Sequence, residues 1–154
     1  VEVMGRNCGD IALYAGVTGG AESILVPEIP MDMSEVVAKV LRGKKRGKLH
    51  HIVIVAEGVG NSYGIAEQIE KETGIETKVT VLGHIQRGGS PSFHDRLMAS
   101  QFGNRAVELL MEGQSSLAIG IKEGDIINIP ITEAIDKKRE FNTELYAIAQ
   151  ILAN

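Results

Sequence analysis

The sequence predicts a three-layer α/β domain built on a mainly parallel sheet, and three observations carry that expectation. Short β-branched, apolar runs alternate with stretches of helical period along the chain. The run His51-Ile-Val-Ile-Val-Ala56 is apolar on both faces, the pattern of a central parallel strand covered by helices above and below. Three such runs also end in charge beside glycine. Val1-Glu-Val-Met4 leads into Gly5-Arg6, 51–56 into Glu57-Gly58, and the run at 78–82 into His84 and Arg87 with Gly88-Gly89. In an open α/β sheet, ligands bind in the crevice outside the carboxyl ends of the strands.

Each element has a local reason. After the first strand, Asp10 is placed to cap a small-residue helix through Tyr14 and Val17 that stops at Gly19-Gly20. Ile24-Leu-Val26 before Pro27 reads as the next strand. Asp32 with Glu35 resembles a capping box opening a helix with Val36, Val37, Val40 and Leu41 on its apolar side. After the central strand, Asn61 or Ser62 starts a helix with Ile65 and Ile69 on one face, ended by Gly74. A buried strand at 78–82 follows. Ser92 and Asp95 open a longer helix whose stripe is Phe102, Ala106, Leu109 and Leu110, with Gly113 as the stop. Residues 118–121 and 126–129 flank Lys122-Glu-Gly-Asp125 as a small C-terminal β-hairpin, and 132–136 and 143–152 are short closing helices.

Composition narrows the classes. A chain of 154 residues fits one domain, 1–154, able to bury roughly 68–70% of its unfolded surface. No apolar run approaches the ~20 residues of a membrane span. A net charge of −4, the absence of Trp and the scarcity of Phe and Tyr argue against nucleic acid as the main partner. Cys8 is the only cysteine, which excludes a disulfide framework and favours a reduced, cytoplasmic compartment. The chain begins at Val1, within a predicted strand, and is expected to be part of a longer protein.

The charged strand ends suggest a sugar-phosphate crevice. Arg6, Arg87 and His84 are suited to a phosphate, with a helix start near Ser92 adding N–H groups, while the carboxylate of Glu57 accepts from hydroxyls. A second basic run, Arg42-Gly-Lys-Lys-Arg-Gly-Lys48, puts five cations in seven residues ahead of His50 and His51. It reads either as a solvated helix end or as a second anion site, in which Glu22 could hold a metal bound to that anion.

The motifs Met4-Gly-Arg6 with Cys8-Gly-Asp10, Ile54-Val-Ala-Glu-Gly58 and, above all, Val81-Leu-Gly-His-Ile-Gln-Arg-Gly-Gly-Ser-Pro91 with Asp95-Arg96 resemble the C-terminal half of a bacterial ATP-dependent 6-phosphofructokinase along essentially the whole chain. The resemblance implies a phosphofructokinase-like fold. It implies that Met4, Gly5, Arg6, Glu57, His84, Ile85, Gln86 and Arg87 bind fructose 6-phosphate, with His84 and Arg87 on its phosphate and Arg6 also catalytic at the transferring phosphoryl group. Lys78 stands where the family usually has an arginine that reaches the neighbouring subunit's site, keeping the charge without the bidentate fork. Gly20, Ala21, Glu22, Arg46, Lys48, Leu49 and His50 match the family's effector pocket for ADP or phosphoenolpyruvate between subunits, with Leu49 replacing a commonly basic residue. The resemblance further implies a cytoplasmic glycolytic homotetramer that uses Mg²⁺ with ATP. The nucleotide site, the Mg²⁺-organising acidic groups and the catalytic base are expected in a preceding N-terminal half absent from this chain, so no catalytic metal ligand is expected here. Three alternatives stand beside this reading: a pyrophosphate-dependent relative, a non-catalytic sugar-phosphate or nucleotide sensor, and, last, a dinucleotide-binding domain, for which no Gly-x-Gly-x-x-Gly opens a helix.

Overall fold

The computed structural model of the chain describes residues 1–137 and 139–153; Lys138 and Asn154 of the expected 1–154 domain lie outside the described residues. The helices are α1 (Asp10–Gly19), α2 (Met33–Lys45), α3 (Ser62–Thr73), α4 (Phe93–Met111), α5 (Ile131–Asp136) and α6 (Thr143–Leu152). The strands are β1 (Glu2–Val3), β2 (Ser23–Leu25), β3 (Val53–Ala56), β4 (Leu117–Lys122) and β5 (Asp125–Pro130). They fall into two compact units, one of Val1–Gly88 with the segment from Phe141 onward, the other of Gly89–Glu140.

In the first unit, β1, β3 and β2 form a parallel sheet in that order, with Glu2 opposite Val55 and Ile24 opposite Ile54. Side chains alternate across a strand. Val3, Ile24, Val26, Ile54 and Ala56 therefore share one packed cluster with Ala12 and Leu13 of α1 and Ala149 of α6. Leu25 and Val55 join Val36 and Val40 of α2 and Ile65 and Ile69 of α3 in a second cluster. Helices cover both faces, which is why β3 carries apolar residues at consecutive positions and sits at the centre as its pattern predicts. Lys39, nearly buried in α2, pairs with Glu35 at 3.2 Å and donates to Gln150 of α6, while the Tyr146 hydroxyl donates to the Ile24 carbonyl at 3.3 Å.

The caps explain where the helices begin. Asp32 accepts from the Ser34 N–H, at 2.9 Å, and from that of Glu35; Asn61, at φ 51°, accepts from Gly64. The expected Asp10 cap is corrected. Gly9 is the N-cap, and Asp10 is the first helical residue, its carboxylate accepting from the Cys8 thiol at 3.2 Å.

The expected strand at 78–82 shrinks to a single parallel bridge between Glu2 and Val81, with the Glu2 N–H donating to the Thr80 carbonyl and that of Leu82 to Glu2. The two-residue β1 offers ladder groups for little more. Val81 is correspondingly 45% exposed rather than buried.

In the second unit, α4 opens on the predicted capping box of Ser92 and Asp95. Of its expected stripe, Leu109 is buried and Phe102 and Ala106 are half-buried, but Leu110 is 67% exposed. Strands β4 and β5 pair antiparallel across Glu123-Gly124, both with positive φ, which is the two-residue turn that matches strand twist. Helix α5 follows β5 directly.

Leu13 is completely buried between α1 and the sheet. Leu13→Ala should therefore cost about 2–5 kcal/mol of stability, read as a lower urea midpoint at unchanged m-value.

Candidate functional site

The chain leaves β1 through Gly5 at φ 153° and Arg6 at φ 53°. A left-handed arginine costs on the order of 1 kcal/mol and persists only where its surroundings impose it. Glu57, the first residue after β3, does so: its Oε1 accepts from the Gly5 N–H at 3.1 Å and from the Arg6 N–H. Gly58 makes the approach possible, since a Cβ there would fall on the Arg6 carbonyl oxygen. The Met4 N–H donates to Gln86 Oε1 at 2.8 Å. Met4, Gly5, Arg6, Glu57 and Gln86 thus form one hydrogen-bonded group at the carboxyl ends of β1 and β3. Glu57 Oε2 takes no hydrogen bond from the described residues.

The basic loop beyond the bridge is a 3-10 turn, Gly83–Arg87. It leaves His84 and Arg87 exposed and Ile85 66% exposed. Neither His84 nor Arg87 has an ion-pair or hydrogen-bond partner for its side chain among the described residues, and the Arg6 guanidinium is likewise unpaired there. The turn that carries His84 and Arg87 is joined to the Glu57 group through Gln86, so two cations or ionisable donors lie on a segment tied to the β1 loop that carries Arg6. That combination suits an anion carrying hydroxyls.

The second cluster lies at the opposite, amino-terminal end of the same sheet. Gly20 closes α1 at φ 68°, and Ala21 and Glu22 are buried just before β2. Glu22 Oε1 pairs with Lys48 Nζ at 2.9 Å, its Oε2 accepts from the Ile52 N–H at 2.6 Å, and the Glu22 N–H donates to the Ile52 carbonyl. Each carboxylate oxygen thus already has a partner, Lys48 on one and the Ile52 N–H on the other. Arg46 ends α2, Leu49 is 95% exposed and His50 is exposed. Lys78 pairs with Glu76 at 3.4 Å and shares a cavity of about 540 Å³ with Leu49 and His50. It stands apart from the Glu57 crevice, three residues before the bridge at Val81 and so toward the other end of the sheet.

One contact escaped the sequence reading. Glu28 Oε1 accepts from the Gly9 N–H at 2.8 Å. Its signal in the sequence is position: Glu28 lies three residues beyond β2, at the same carboxyl end of the sheet as Glu57 directly after β3.

Comparison with known proteins shows the family. The phosphofructokinase family model matches residues 1–110. The chain belongs to the phosphofructokinase family. It is 59% identical over 150 residues to the ATP-dependent 6-phosphofructokinase of Finegoldia magna, spanning 97% of this chain and 47% of that protein. To that of Clostridium acetobutylicum it is 56% identical over 153 residues, spanning 99% and 48%. The chain thus spans about half the length of these relatives. Among solved structures, Pichia pastoris phosphofructokinase in the T-state superposes at a TM-score of 0.78 with 30% identity, over 98% of this chain and 17% of that one. A pyrophosphate-dependent phosphofructokinase from Nitrosospira multiformis superposes at 0.71 with 26% identity, over 86% and 38%. The fold is therefore that of the phosphofructokinases, a parallel α/β sheet with a small antiparallel hairpin.

The Glu22 lock has a pH signature. Burial opposes the charge, but the Ile52 N–H and the Lys48 ammonium outweigh it and hold the carboxyl below the usual glutamate range. A carboxyl with a depressed folded pKa contributes stability that is complete above its unfolded value, ~4.3, and is lost as pH falls through the folded value. The stability gap between the parent chain and Glu22→Gln should be widest at neutral pH and should narrow as pH falls below the unfolded value of ~4.3, measured by urea unfolding across pH. A gap that stayed constant down to pH 3 would show that Glu22 acts by shape and not by charge.

Proposed function

We propose that the crevice is the acceptor-sugar site of an ATP-dependent 6-phosphofructokinase, and that fructose 6-phosphate is its substrate. The observation that carries this reading is the grouping of the β1 loop and the Gly83–Arg87 turn around Glu57 and Gln86, with Arg6, His84 and Arg87 left unpaired at its border. The names of the relatives at 56–59% identity support it. In this mechanism His84 and Arg87 hold the 6-phosphate, and Glu57 Oε2 orients the sugar through a hydroxyl. The 1-hydroxyl oxygen attacks the γ-phosphorus of ATP as the bond to the ADP oxygen breaks. Arg6 neutralises charge on the transferring phosphoryl group, a role suited to a rigid guanidinium. Among the described residues no group of three or more His, Cys, Asp or Glu could hold a metal. The chain spans about half the length of these relatives, and Mg²⁺, ATP and the base that takes the hydroxyl proton are proposed to be held by the part it does not span.

The Glu22–Lys48 cluster, with Gly20, Ala21, Arg46, Leu49 and His50, is proposed as the effector site for ADP or phosphoenolpyruvate in a cytoplasmic, glycolytic homotetramer. Lys78 is proposed to reach a neighbouring subunit's sugar-phosphate site; its separation from the Glu57 crevice supports that role over one in its own site. A pyrophosphate donor is the second reading, supported by the likeness to the Nitrosospira multiformis structure and weakened by its 26% identity.

Two variants of the full-length enzyme test these roles. Loss of a charge-assisted phosphate contact costs about 1.5–3 kcal/mol, so Arg87→Ala should raise the KM for fructose 6-phosphate at least tenfold while the ATP KM holds. A rise in the ATP KM instead would move Arg87 to the donor side. Arg46→Glu should abolish the response to ADP and phosphoenolpyruvate at subsaturating sugar phosphate while leaving unregulated turnover intact, because the coupling of ~1–3 kcal/mol disappears with effector binding. Unchanged regulation would return the basic run to a solvated helix end.

A further inference from the structure

We infer that Glu28 is a positioning residue for the sugar-phosphate crevice: by holding the Gly9 N–H it fixes the far end of the turn that presents Arg6. The inference rests on the acceptor-site reading above. The turn from Met4 to Gly9 is pinned by side chains from three separate segments. Gln86 takes the Met4 N–H, Glu57 takes those of Gly5 and Arg6, and Glu28 takes that of Gly9 at 2.8 Å. Between these anchors the Cys8 N–H closes back on the Gly5 carbonyl at 2.9 Å. Arg6 thus sits in a left-handed conformation on a short backbone loop fastened at both ends, and its side chain is left unpaired.

Glu28 is built into this position. Gly9 is the N-cap of α1 and brings no side chain to cap it, so the Glu28 carboxylate supplies an acceptor from outside the helix, where negative charge is favoured by the helix dipole. The fit is tight. A Cβ at Gly9 would lie 2.6 Å from Glu28 Oε2 and against the Val26 side chain. The next residue but one toward β2, Val26, is 2% exposed, so the base from which Glu28 reaches is fixed in the core. Release of Gly9 would free the carboxyl-terminal side of the Arg6 turn, leaving Glu57 alone to impose an unfavourable φ.

The role requires reach, and substitutions separate reach from charge. Glu28→Gln keeps the length and an acceptor oxygen; Glu28→Asp keeps the charge and withdraws the oxygen by one methylene. In the full-length enzyme, Glu28→Asp should lower kcat/KM for fructose 6-phosphate at least tenfold at an unchanged ATP KM, and Glu28→Gln should restore it to within about threefold of the parent. Hydrogen exchange at the Gly9 amide should speed up in Glu28→Asp and stay slow in Glu28→Gln, a readout independent of any substrate. Faster exchange at Gly9 with unaltered sugar-phosphate kinetics would overturn the inference, leaving Glu28 a plain helix cap. Loss of activity in Glu28→Gln with retention in Glu28→Asp would overturn it too, by showing that charge matters and reach does not. If Glu28→Asp fails to fold, Glu28→Met, which keeps the length and removes the acceptor, takes its place: faster Gly9 exchange with at least tenfold lower kcat/KM for fructose 6-phosphate supports the inference, and faster exchange with unaltered kinetics overturns it. A parent enzyme unable to phosphorylate fructose 6-phosphate would sink the acceptor-site reading and this inference together, whereas a competent parent with a normal Glu28→Asp would sink the inference alone.

Discussion

The central strand β3 is the constraint on which the rest of the first unit depends. It pairs on one side with β1 and on the other with β2, and its residues alternate between two separate hydrophobic clusters. A strand in that position can carry polar groups only at its ends, where it leaves the covering helices. Both ends are used. At one, Ile52 offers its N–H and carbonyl to Glu22; at the other, Glu57 takes two backbone N–H groups of the β1 loop.

That arrangement sets two polar clusters at opposite ends of one rigid element. From Ile52 to Glu57 is five residues, about 17 Å at the usual strand rise of ~3.3 Å per residue. The two clusters differ in kind. At the Glu22 end, cation and anion already satisfy each other, and the carboxylate is buried. At the Glu57 end one carboxylate oxygen is taken by backbone N–H groups, and the Arg6, His84 and Arg87 side chains have no ion-pair partner among the described residues.

The crevice also shows how strain is held. Arg6 adopts a φ that glycine prefers, and neighbouring Gly5 and Gly58 provide the room in which backbone and carboxylate meet. The cost falls on the fold, because Glu57 and Glu28 act through the backbone and leave the Arg6 side chain uncommitted. Positions that bind only backbone are easily overlooked when a site is read as a set of side chains pointing at a ligand.

The sequence by itself determined the class of fold, the central place of 51–56, the helix starts at Asp32, at Asn61 or Ser62 and at Ser92, and the hairpin across Lys122-Glu-Gly-Asp125. These follow from periodicity, capping and turn chemistry, all of which act over a few residues. It also pointed to Arg6 and Glu57 as charged residues just beyond parallel strands, and the structure joins the two through the Arg6 N–H and the Glu57 carboxylate. Only the tertiary structure decided which groups meet at each end. The run at 78–82 is apolar enough for a strand, but pairing depends on the length of its neighbour, and β1 supports one bridge. Leu110 fits the stripe of α4 by period and is nonetheless exposed, because burial is a property of what packs against a face. Glu28 and Glu57 are both glutamates just beyond a strand, and nothing local says which backbone each will hold. That was decided by where β2 and β3 lie beside the β1 loop, a relation between segments far apart in the chain.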